Sequence, residues 1–66
     1  MQILLNGDTR EVASDASVAA LLEGLELAGK RLAVEVNEEV VPRSEYTQVR
    51  LHPGDRVEIV RAIGGG

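Results

Sequence analysis

The chain has 66 residues, which is room for one domain and no second one. A domain of this size buries only about 60% of the surface its unfolded chain exposes, so its core must be thin. The composition, 44% hydrophobic and 27% charged, is that of a folded chain rather than a disordered one, and the net charge of -4 argues against nucleic-acid and anionic-membrane surfaces as partners.

"QILL", "NGD" and "TREV" open the chain as two short strands around a turn. Asn6-Gly7 is the dipeptide that tolerates positive φ at both central turn positions, the strongest short-range hairpin signal. Period-2 alternation puts Ile3 and Leu5 on the buried face, Leu4 on the other, and Val12 back with the buried set.

The period then changes. In "ASDASVAALLEGLEL", Val18, Leu21, Leu22 and Leu25 recur at helical spacing and form one apolar stripe. Ser17 is the expected N-cap, and Asp15 lies near the positive end of the helix dipole. Gly24 weakens the helix interior by roughly 1 kcal/mol relative to alanine. Gly29 is the expected stop, with Lys30 and Arg31 suiting the negative end. Glu23 and Glu26 read as a solvated face.

"LAVEVNEEVVP" returns to alternation, with Val34 and Val36 inward and Glu35 outward. Asn37, Glu38 and Glu39 are expected to form the turn, and Val40-Val41 a short strand ended by Pro42. "RSEYTQVRL" is weakly patterned and reads as a loop with one helical turn before another short strand. In "HPGD", Pro53 presets φ and Gly54 takes the position that needs positive φ. "RVEIV" is the clearest strand, with Val57 and Ile59 on one face. The order β-β-α-β-β-β predicts an α+β fold, a mixed sheet with one helix packed across one face. Leu4 and Val60 fall on the face the helix leaves uncovered; on neighbouring strands they would form a small patch for partners.

No catalytic constellation emerges. The chain has no cysteine, which removes disulfides, thiol nucleophiles and thiolate metal sites. His52 is the single histidine and sits beside a turn. Ser14, Ser17 and Ser44 lack a base, and Glu38-Glu39 are adjacent in a turn rather than flanking a substrate. No apolar run reaches the roughly 20 residues of a membrane span, and no secretory leader is recognisable. The expected compartment is the cytoplasm, and the expected state when free is a monomer.

What remains is the end, "RAIGGG". These glycines match no phosphate loop, because no helix follows. Glycine does present a terminal carboxylate with least obstruction, and its freedom lets that group reach into a narrow site on a partner. Adenylation by ATP would turn the carboxylate oxygen into a leaving group.

Together, "LNG", "SVAALLEGL", "LAVEVNEEVVPRSEY" and "LHPGDRVEIVRAIGGG" resemble the ubiquitin-like sulfur carriers, and most nearly the ThiS-type carriers of thiamin biosynthesis. The resemblance spans the whole chain and implies a single β-grasp domain over residues 1–66, with 62–66 a flexible functional tail. It implies that Gly66 is adenylated by an activating enzyme similar to the E1 class, which uses ATP and magnesium while the carrier binds no cofactor. A persulfide sulfur from a cysteine desulfurase, or from another donor, would then displace AMP to leave a thiocarboxylate. Thiazole synthase would take that sulfur. Gly65 and Gly64 would thread the partner's channel, and Ile63, Leu4 and Val60 would contact partners. The chain would be a carrier, not an enzyme.

Four other readings share some of these features. A carrier feeding another sulfur pathway, such as a cysteine or tRNA thiolation route, would share the fold and the thiocarboxylate. The small subunit of molybdopterin synthase has the same fold and thiocarboxylate, but tends to carry proline shortly before its glycines, where this chain has Arg61, Ala62 and Ile63. A ubiquitin-like modifier would have only Lys30 for chain building on itself. A plain interaction module would leave the glycines without a task.

Overall fold

The structure, a computed structural model, describes residues 1–61. Expectations for Ile63, Gly64, Gly65 and Gly66 lie outside the described residues. Strands β1 (Gln2–Leu5), β2 (Asp8–Glu11), β3 (Leu32–Val36), β4 (Glu39–Val41) and β5 (Arg56–Arg61) form one sheet in the order β2-β1-β5-β3-β4. β1 and β5 run parallel, and every other neighbouring pair is antiparallel. The mixed sheet expected from the sequence is therefore present, with the last strand at its centre.

Local chemistry explains both hairpins. Leu5 pairs with Asp8 across Asn6 and Gly7, whose φ values of 50° and 87° meet the demand of a two-residue hairpin turn with positive φ at both centres. The second hairpin does the same with Asn37 and Glu38, at φ 52° and 72°. Its turn is one residue shorter than expected, because Glu39 pairs with Val36 and belongs to β4. "HPGD" folds as read, with Gly54 at φ 82° and the Asp55 N–H donating to the His52 carbonyl at 3.0 Å.

The helix α1 (Val18–Gly24) is capped as expected: the Ala20 N–H donates to Ser17 Oγ at 3.0 Å. Its remaining free N–H groups are met from far along the chain. Val18 N–H donates to the Val49 carbonyl at 3.0 Å and Ala19 N–H to that of Tyr46 at 2.9 Å. The helix start and the segment around residues 46–51 thus satisfy each other's backbone groups. One 3-10 turn (Arg43–Glu45) leads into that segment, and the short strand expected after it reduces to a single bridge between Ser17 and Arg50.

The helix ends earlier than expected. Gly29 is not its stop, and neither Lys30 nor Arg31 lies in its last turn. Glu26, at φ 62°, takes the left-handed C′ position. Its N–H donates to the Glu23 carbonyl at 3.0 Å, and the Leu27 N–H reaches back to that of Leu22 at 2.8 Å. These two bonds are the Schellman closure, and Leu27 adds its usual apolar contact by packing on the core. The closure wins over the Gly29 signal because it lets Leu27 fold back under the helix. Since Glu26 is exposed and its conformation is strained for an L-residue, Glu26→Gly is expected to stabilise the fold by about 0.5–1 kcal/mol. A higher urea midpoint with an unchanged slope would show it.

The buried cluster is Ile3, Val18, Leu21, Leu22, Val34, Leu51 and Val57, all aliphatic. Leu5, Val12, Leu25, Val36 and Ile59, expected inward, pack against it half-buried. Among the described residues no polar or charged side chain is buried. The core carries no chemistry of its own.

Candidate functional site

β5 carries Val60 and is the last described element of the chain. Val57 is buried and Ile59 half-buried on the helix side, which sends Arg56, Glu58 and Val60 to the open face. β3 pairs with β5 along its whole length, from Val36↔Val57 to Leu32↔Arg61. β1 covers only its beginning, through Leu4↔Arg56 and Leu5↔Val57. The last residues of β5 therefore pair with the start of β3 alone, beyond the β1-β2 turn.

Two turn asparagines hold this strand. Asn6 Oδ1 accepts from the Ile59 N–H at 2.8 Å, and its Nδ2 donates to the Ile59 carbonyl at 3.3 Å. Asn37 Oδ1 accepts from the Arg56 N–H at 2.9 Å, and its Nδ2 donates to Asp55 Oδ1 at 3.1 Å. Sequence reasoning assigned both asparagines to turns and missed this second task. The available signal was that each hairpin turn opens with asparagine, whose amide offers a donor and an acceptor at once.

Leu4 and Val60 lie on neighbouring strands but not side by side: Leu4 stands opposite Arg56, while Val60 stands opposite Ala33. Both line one open groove of about 540 Å³ with Asn6, Gly7 and Glu58, along the flank where β1 stops. Val40, 68% exposed, extends the apolar surface of the open face beyond Val60 at 61% and Leu4 at 37%. It was missed, although the alternation that buries Val41 points Val40 outward. Between these apolar residues Glu35 and Glu58 stand directly opposite one another. Like charges in that position weaken a sheet. The face thus sets exposed apolar residues around a Glu35-Glu58 pair, with Arg56 opposite Leu4.

Other candidates disperse. His52 is 77% exposed, with Nδ1 3.8 Å from Asp55 Oδ2. Ser17 Oγ is occupied as a helix cap. Among the described residues no three histidine, aspartate or glutamate side chains gather to hold a metal, and no helix is long and apolar enough to cross a membrane.

A five-stranded mixed sheet in this order, grasping one helix and ending on its central strand, defines a ubiquitin-like β-grasp protein. Residues 3–66 match the model of the ThiS family. The chain belongs to the ThiS family, the sulfur carriers that its motifs resemble.

The sulfur carrier protein ThiS of Escherichia coli is 33% identical over 66 residues, with 100% of each chain covered. A thiamine biosynthesis protein (ThiS) from Geobacter metallireducens superposes with a TM-score of 0.86 at 33% identity, again covering 100% of both chains. A thiazole synthase of Paramagnetospirillum magneticum is 44% identical over all 66 residues, which span only 20% of that longer protein.

Proposed function

We propose that the chain carries sulfur on the Gly66 carboxylate and delivers it for thiazole formation in thiamin biosynthesis. An E1-like adenylyltransferase, using ATP and magnesium, joins the carboxylate to AMP and releases pyrophosphate. The terminal sulfur of a persulfide, supplied by a cysteine desulfurase or another donor, attacks the acyl carbon as AMP leaves. A thiol then reduces the resulting S–S bond and frees the thiocarboxylate. Such chemistry needs no side-chain thiol on the carrier, in keeping with a chain that has no cysteine.

The observation that carries the reading is the match to the ThiS family, which runs through residue 66 and so includes the glycines. The fold supports it by leading into them from the central strand. Gly65 and Gly64 give the clearance to thread a channel, and Ile63, Leu4 and Val60 supply apolar contact to partners. A relative called thiazole synthase that contains a segment similar to this entire chain supports that enzyme class as the recipient, over the molybdopterin route. The same reading takes the process to be cytoplasmic, where ATP and a persulfide donor are both at hand.

The test is intact mass after incubation with activating enzyme, ATP and a persulfide donor. Replacement of one oxygen by sulfur supports the carrier; an unchanged mass beside an enzyme active on a known carrier refutes it. High-mass conjugates would instead support a protein modifier. Val60→Glu tests the open face. It puts a third carboxylate beside Glu58 and Glu35, so affinity for the activating enzyme is expected to fall about tenfold or more, roughly 1.4 kcal/mol. The exposure of Val60 means the fold should survive, which circular dichroism checks.

A further inference from the structure

We infer that Asn6 is a positioning residue, bracing the end of β5 so that a partner drawing on the tail meets that strand paired to its last described residues. The inference rests on the sulfur-carrier reading above. Main-chain pairing between β1 and β5 ends where the Asn6 N–H donates to the Val57 carbonyl at 2.9 Å. From Ile59 onward β5 has β3 on one side and, among the described residues, no strand on the other.

Asn6 fills that gap. Its positive φ of 50° reverses the chain into β2 and leaves its side chain to continue alongside β5. One carboxamide then takes both main-chain groups of Ile59, at 2.8 Å and 3.3 Å, the groups that two successive partners on a continued parallel strand would otherwise meet. The residue type follows from the task. A carboxamide carries a donor and an acceptor on one short stem, and asparagine tolerates left-handed backbone better than other side-chain-bearing residues. Aspartate would keep the acceptor and lose the donor.

The protein contains its own control. Asn37 makes a comparable bond to the Arg56 N–H, at the opposite end of the same strand. Loss of either asparagine removes two side-chain hydrogen bonds, both to Ile59 for Asn6 and to Arg56 and Asp55 for Asn37, but only Asn6 lies next to the end of β5. A partner that captures the tail needs β5 paired to its end. Weakening the brace lowers the population of that form, and apparent affinity falls by the same fraction. The effect belongs in KM.

The experiment uses the full chain and the variants Asn6→Gly, Asn6→Asp and Asn37→Gly. Glycine accepts the positive φ, so each turn survives while the side chain is lost. Adenylation by an activating enzyme is followed through pyrophosphate release against carrier concentration, together with hydrogen exchange of the Ile59 amide and urea unfolding. Asn6→Gly is expected to raise KM about tenfold with kcat within about twofold, and to speed exchange at Ile59. Asn6→Asp should recover part of the KM, since its oxygen still accepts from the Ile59 N–H. Asn37→Gly should lose comparable stability with KM within about twofold of the parent.

A parental KM for Asn6→Gly, or an equal rise for Asn37→Gly, would overturn the inference. Failure of the parent itself to be adenylated would count against the carrier reading alone. Exchange at Ile59 would still decide the brace, and unaltered exchange in Asn6→Gly would refute it.

Discussion

Deletion of Gly66 is expected to abolish sulfur loading and leave the folded domain intact. Shortening the chain by one residue withdraws the carboxylate by about 3.3–3.6 Å. A misplacement of about 1 Å can already cost a factor of about 100 at a reacting centre, so the loss should exceed the range of a normal assay. The described core ends at Ile59, and the deleted residue lies well beyond it. Unchanged circular dichroism and urea midpoint, beside a mass that shows no oxygen-to-sulfur exchange, is the expected pair of results. Gly66→Ala should fall between, keeping the carboxylate but adding a Cβ where the channel must be narrow. If the deleted chain still loads, the tail is not the site.

The second large effect concerns stability. Leu51→Ala is expected to cost about 2–5 kcal/mol, from lost transfer energy and the cavity left behind. Leu51 is 1% exposed, among the largest fully buried side chains. Its N–H donates to the Ala16 carbonyl at 2.8 Å, which fixes it under the start of the helix. By the usual range per residue, a domain of this size has a total stability of about 3–10 kcal/mol. The variant should therefore be partly or wholly unfolded at 37 °C, as urea and thermal melts would show. Leu51→Met, which conserves volume, should cost less than about 1.5 kcal/mol. A near-parental melt for Leu51→Ala would mean that this segment lies outside the cooperative core.

Leu51 also shows where sequence reading stops. "TQVRL" has no clean period, and nothing nearby marks its last residue as core. Its burial depends on contact with the helix start, where Arg50 Nη1 donates to the Asp15 carbonyl across 35 positions of sequence. The helix end was misplaced for a related reason. Gly29 is the better local stop, yet the closure at Glu26 is selected by the packing of Leu27 on a core assembled from distant strands. By contrast, the Asn6-Gly7 hairpin, the Ser17 cap and the Gly54 turn were legible, since each is a contest among residues within three or four positions.

The open face divides in the same way. Alternation alone put Leu4, Glu35 and Val60 outward. That Glu35 faces Glu58, and that Leu4 and Val60 flank one groove, needed the register of β5 against both neighbours.

By itself the sequence determined the local elements, the faces they bury, and glycines whose main-chain carboxylate suits sulfur chemistry without a thiol. Those follow from side-chain period, turn propensity and the chemistry of single groups. Only the tertiary structure placed the last strand in the middle of the sheet and gave Asn6 its hold on Ile59. Strand neighbours are chosen by burial and pairing among residues up to 53 positions apart, and local preference carries no record of that choice.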